Sequence, residues 1–99
     1  MSARVARDAL AQLAYPLVLV IWLDSSHMGE GWVGFEELDC TDERLLCVSV
    51  GFLVQESAHA KLLVPSIADL GEISNRQAHG AIVIPKRAII GERILRRAP

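Results

Sequence analysis

Cys40, Cys47, His27, His59 and His79 are the side chains in this sequence with the chemistry to hold a metal ion. A metal centre needs several such ligands converging, and they usually announce themselves as C-x-x-C, H-x-x-x-H or H-E-x-x-H. None of these spacings occurs, and all three histidines fall between the expected elements, so solvated loop histidines and no metal are the expectation. Cys47 and Ser49 are the candidate nucleophiles. Either would need a base within hydrogen-bond reach and a third group to orient that base, and no nucleophile elbow frames them. Asp24 could pair with an acid from residues 36–43 as a general acid/base couple, but Asp24-Ser25-Ser26 at a strand end is turn chemistry. The expectation is no catalytic residue and no cofactor.

Binding chemistry is better represented. Trp32 and Phe35 sit in a Gly-containing acidic stretch with Glu36 and Glu37. They either cap an open end of the fold or form an exposed aromatic anchor beside carboxylates, a common composition for a protein-binding hot spot. Charge is also segregated. Residues 24–72 hold ten of the twelve acids, and residues 73–99 hold six of the ten bases: Arg76, Lys86, Arg87, Arg93, Arg96 and Arg97. Such poles solvate a strand edge, bind an anion, or pair head to tail with another subunit. Lys86, Arg87 and Arg93 are the candidates for holding a nucleic-acid phosphate.

The elements that position these residues belong to one domain of 99 residues, 52% apolar and 22% charged. That composition excludes a disordered tail or a coiled coil, and a net charge of −2 excludes a histone-like binder. Residues 3–14 predict an amphipathic helix ended by Tyr15-Pro16. Leu17–Leu23, apolar throughout, predicts a strand covered on both faces. The run follows Arg4 and Arg7 in the outline of a signal peptide. However, Asp8, Gln12 and Pro16 interrupt it, no small-x-small cleavage site follows, and it is too short to span a bilayer. A cytoplasmic protein with no membrane contact is expected.

Residues 25–44 predict a long connection, with 31–38 a short strand or a helical turn. Leu46–Gln55 alternates as a strand whose Val48, Val50, Phe52 and Val54 are expected in the core, with Cys47 a small hydrophobe on the other face. Six residues separate Cys40 from Cys47, and two reduced thiols are expected. A tight turn at Glu56–His59, a strand at 61–67, a polar loop at 69–79, a strand at 80–85, a helical turn at 86–90 and a short strand at 93–95 complete the pattern. Arg96 and Arg97 read as a frayed tail. Short strands with tight connections predict a mainly β fold: an SH3-like or Sm-like small β-barrel of about five strands over 17–95, preceded by a short N-terminal α-helix.

Two resemblances accompany this reading. Over residues 18–95, Val20-x-Trp22-x-Asp24-Ser25, Gly31-Trp32, Cys47-Val-Ser-Val-Gly-Phe-Leu-Val54 and Ile84-Pro85-x-x-Ala88-Ile89 resemble a widespread set of small phage and prophage proteins that carry no assigned activity. The resemblance implies a phage context. The helix, the run Pro16–Ile21 and the segment Pro85-Lys86-Arg87-Ala88-Ile89 resemble the Sm-like RNA chaperone of bacteria. Lys86, Ala88 and Ile89 match its late motif, while Pro85 and Arg87 stand where it has an aromatic residue and a histidine. Gly80, Ile84 and Pro85 also resemble the end of a peptide-binding SH3 domain, although Tyr15 is the only tyrosine here. The sequence therefore points to a non-catalytic protein-interaction module that self-associates through surplus apolar surface. The alternative is an Sm-like, RNA-binding barrel.

Overall fold

The computed structural model describes residues 2–24, 32–38 and 45–99. Helix α1 (Ala3–Ala11) starts where the Ser2 hydroxyl accepts the Val5 amide at 3.2 Å, an N-cap that satisfies one of the unpaired first-turn donors. It ends three residues earlier than the sequence predicts. Leu13 donates its amide to the Leu10 carbonyl, and its side chain is buried as the chain leaves the helix toward Pro16.

Among the described residues seven strands follow: β1 (Leu17–Asp24), β2 (Leu45–Glu56), β3 (Ala60–Val64), β4 (Ser66–Ala68), β5 (Gln77–His79), β6 (Ile82–Pro85) and β7 (Ile89–Arg96). Five form an antiparallel sheet in the order β6-β3-β2-β1-β7, and β4 with β5 makes a separate two-stranded ribbon. The fold is mainly β with one short N-terminal helix, as expected. The sheet does not close, because its outer strands β6 and β7 do not pair with each other. It is nevertheless curled. Lys61 of β3 bonds Glu92 of β7 across the two intervening strands, a reach that a flat sheet with strands about 4.8 Å apart would not permit.

The curl has an inner face. Val18, Val20 and Trp22 of β1, Leu63 of β3 and Ile84 of β6 are buried there as one cluster, with Cys47, Leu53, Ile82, Ala88 and Ile89 packed against it. Register explains why these residues face inward. Trp22 pairs with Cys47, Val20 with Ser49 and Val18 with Gly51, so bulky β1 side chains meet small β2 partners. The Trp22 indole donates to the Ser49 hydroxyl at 3.0 Å, which satisfies its one polar atom. Gly51 is required by close approach, since a Cβ there would lie 3.0 Å from the Val64 carbonyl oxygen.

That register corrects the expected core. Val48 and Val50 are exposed on the outer face at 61% and 47%, and Phe52 and Val54 are only half-buried. β1 is likewise covered on one face: Leu17, Leu19, Ile21 and Leu23 alternate with the buried set and stay half-exposed. Small residues took the inside of β2 because β1 had already filled it.

Other boundaries move for local reasons. The strand expected over 61–67 breaks at Pro65, which has no amide to continue the ladder, so β3 and β4 enter different sheets. The loop expected at 69–79 contains a 3₁₀ turn (Ile73–Asn75) and β5, which places His79 in a strand. Gly80 has φ +77 and sits against the Pro65 ring, where a side chain would be strained. The turn before the last strand is 3₁₀ (Lys86–Ala88), and β7 runs far longer than 93–95. Arg96 is its final residue rather than part of a frayed tail, and its guanidinium donates to the Leu10 carbonyl at 3.3 Å, tying sheet to helix.

A matched pair of substitutions tests which face is the core. Val20→Ala, at a fully buried position, should cost about 2–3 kcal/mol, whereas Val48→Ala should stay within roughly 0.5 kcal/mol. Urea titration at low protein concentration measures both. The reverse order would show the opposite face to be the core, and equal costs would show that the outer face is not bare.

Candidate functional site

Between β1 and β2 the described residues 32–38 carry the aromatic pair. Phe35–Glu37 is a single 3₁₀ turn, closed by the Glu37 amide on the Gly34 carbonyl at 3.0 Å and the Leu38 amide on the Phe35 carbonyl at 3.2 Å. This is the helical-turn option of the two that the sequence left open for 31–38. Trp32 is 103% and Phe35 89% exposed, and Glu36 and Glu37 are exposed beside them. The aromatics do not cap the end of the sheet. They stand in solvent with carboxylates as neighbours, and Leu38 is half-exposed next to them.

The basic candidates are not brought together. Lys86 and Arg87, from the 3₁₀ turn, line an open depression of about 580 Å³ with Ala58, His59, Ala60 and Pro85. The Lys86 amide donates to the His59 carbonyl at 2.8 Å, which fixes that turn against the β2–β3 hairpin. Arg93 lies elsewhere, opposite Leu19 on the outer face of the sheet. Lys86 is also committed: its ammonium donates to Glu56 at 3.1 Å. Glu56 in turn lies 3.6 Å from the Lys61 ammonium, and Lys61 bonds Glu92. The four side chains form a ladder of alternating sign across the inner rim of the sheet.

The ladder shifts two of its members. The Lys86 hydrogen bond, and then its charge, hold the Glu56 carboxyl below its ordinary value near 4.5; burial opposes them, and Lys61 adds a lesser lowering effect. The hydrogen bond from Lys61 to Glu92 raises the Lys61 ammonium above its ordinary 10.5, against the opposing effect of burial. The sequence does not signal this ladder, because two of its three links join positions about thirty apart that meet only in the folded sheet.

The candidate chemical groups are occupied structurally. Ser49 accepts the Trp22 indole, and Cys47 is a free, half-buried thiol packed against the core. Asp24 ends β1 as the last exposed residue of the strand. Among the described residues no group of three or more His, Cys, Asp or Glu side chains is disposed to hold a metal, and no helix is long and apolar enough to cross a membrane. His27, Cys40 and the acids at 39–43 lie outside the described residues.

The structure defines a mainly β protein: a curled five-stranded antiparallel sheet with an N-terminal helix and a projecting ribbon. Comparison with family models, curated proteins and solved structures finds no match to the chain.

The Glu56 shift makes a signed prediction. A depressed carboxyl stabilises the fold above its ordinary value and loses that contribution as pH falls through the lowered one. Glu56→Gln should therefore lower the urea midpoint at pH 7, with the gap to wild type shrinking as the pH falls below the ordinary carboxyl value near 4.5 and through the lowered one. A gap that persists unchanged in acid would show that the Glu56 charge is not what holds Lys86.

Proposed function

We propose that this chain is a non-catalytic protein-interaction module in which Trp32 and Phe35 are the anchor and Glu36 and Glu37 select a partner with a basic surface. The observation that carries the reading is the near-complete exposure of two aromatic side chains three residues apart in an acidic turn. Exposed tryptophan beside charge is costly to leave in water, and such residues dominate the binding energy of interfaces. A partner that covers the two rings desolvates them, and its lysines or arginines meet the flanking carboxylates.

The scaffold is read as a small barrel of the SH3-like or Sm-like kind, open between β6 and β7, with the 3₁₀ turn Lys86–Ala88 spanning the gap. The Lys61–Glu92 bond and the direct passage of the chain from β6 through that turn into β7 support this. The sequence resemblance to small phage and prophage proteins supports an accessory role of phage origin in the cytoplasm of a bacterial host. Self-association of the chain belongs to the same reading.

RNA binding through Lys86, Arg87 and Arg93 is the competing reading. It is disfavoured by the Glu56 carboxylate on Lys86 and by the location of Arg93 on a different face. It also lacks an aromatic stacking platform beside the bases, which single-strand binders use.

Two measurements decide between them. Tagged protein retained on beads should capture a discrete partner from host extract, and Trp32→Ala or Phe35→Ala should each weaken that capture by roughly thirtyfold, as a 2 kcal/mol hot spot requires, with the thermal midpoint unmoved. Capture indifferent to both substitutions would reject the anchor. Fluorescence anisotropy should find no binding tighter than about 10 μM to random RNA or duplex DNA at physiological salt. Submicromolar, steeply salt-dependent RNA binding lost in a Lys86→Ala, Arg87→Ala double variant would replace the protein-interaction reading with the nucleic-acid one.

A further inference from the structure

The outer face of the sheet has no covering layer among the described residues. Along β2, Leu46, Val48 and Val50 are 66%, 61% and 47% exposed, and their register partners on β1 are Leu23, Ile21 and Leu19. β7 adds Gly91 opposite Ile21 and Arg93 opposite Leu19. The Ile21 side chain lies over Gly91, where a Cβ would meet its terminal methyl at 3.7 Å. Its one charge is Arg93. Isolated exposed leucines need no explanation, but six contiguous aliphatic residues on adjacent strands mark an interface.

We propose that this face is the interface of a two-fold dimer, packing against the same face of a second copy with the β2 strands antiparallel. The proposal gives the self-association read above a defined surface, and it uses residues distinct from the Trp32–Phe35 anchor.

Surface area supports a second copy. The chain exposes 7692 Å², against about 5,500 Å² expected for a compact monomer of 10.8 kDa, an excess of roughly 2,000 Å². Its radius of gyration is 18.0 Å, where about 13 Å is usual for this length. The helix and the ribbon account for part of that excess, and the exposed outer side chains of β1 and β2 are its apolar part. A stable interface buries about 800 Å² per partner, well within the surplus.

Charge selects the antiparallel arrangement. Asp24 closes β1 at one end of the strand, whereas Arg93, Arg96 and the following Arg97 lie toward the other end along β7. A two-fold axis through the Ile21–Val48 level sets the acidic end of each copy against the basic end of the other. A parallel arrangement would stack like charge on like. Closed two-fold pairing also buries the whole patch and leaves nothing to propagate into fibres.

Sedimentation equilibrium of the full chain at 5–100 μM tests it, a range chosen as roughly that of a modest interface of this size. The expected result is twice the chain mass for wild type. Val48→Glu should give the monomer mass with an unchanged circular-dichroism spectrum, because position 48 carries no core contact. Ile73→Glu, at an exposed apolar position in the 3₁₀ turn outside this face, should remain dimeric. Arg93→Glu should weaken the dimer at least tenfold. Partner capture through Trp32 should survive Val48→Glu, so failure of one reading is distinguishable from failure of the other. A wild-type monomer at 100 μM would overturn the proposal, as would a dimer indifferent to Val48→Glu. A higher oligomer that Val48→Glu leaves intact would place self-association on another surface.

Discussion

Every side chain of β1 from Leu17 to Leu23 is apolar, yet a strand can present only alternate side chains to any one layer. In this fold a single layer is available. Val18, Val20 and Trp22 take it, and the rest follows from their choice. β1 lies between β2 and β7, so the volume of its inner side chains dictates what each neighbour places opposite. β2 answers with Cys47, Ser49 and Gly51, and the chain beyond the hairpin closes over them with Leu63 and Ile84. The same choice leaves Leu19, Ile21, Leu46, Val48 and Val50 together on the outside. The core and the bare face are two consequences of one parity.

The strands themselves were legible. The apolar run at 17–23, the alternation at 46–55, the hairpin turn at Glu56–His59 and the single turn near Lys86 all appear close to where the sequence puts them. The Ser57 hydroxyl accepts the His59 and Ala60 amides in that hairpin turn, as a Ser-containing turn suggests. The face of β2 was not legible. Its larger residues look like core by volume, and only the identity of the cross-strand partners reverses the assignment. A strand apolar on both sides carries no internal mark of which side is covered. Pro65 and the β4–β5 ribbon illustrate a different limit: a strand signal can be correct while its partner sheet is wrong.

The candidate sites divide the same way. Trp32 and Phe35 stood out by composition, and whether they cap the sheet or stand in solvent turned on contacts that no spacing encodes. Lys86, Arg87 and Arg93 were grouped by charge along the chain, but alternation along β7 sends Glu92 inward to Lys61 and Arg93 outward beside Leu19. Three basic residues close in sequence thus serve two surfaces. The ladder through Glu56 further reduces the basic character of one of them. Charge along the chain marks a basic segment, and the alternation of the strand decides which surface each of its residues reaches.

The central claim is that β1 and β2 bury one shared face and leave the other open to solvent, and thiol reactivity reads this most directly. In a chain with Cys40 and Cys47 replaced by serine, a single cysteine is introduced at Val20 or at Val50, and alkylation is followed at submicromolar protein under native conditions. The account predicts that the thiol at position 50 reacts at close to the rate of a free thiol. At position 20 it should react at least about 100-fold more slowly, because that side chain meets solvent only when the sheet opens. Comparable rates at the two positions, or faster reaction at position 20, would contradict a core on the Val18–Val20–Trp22 face.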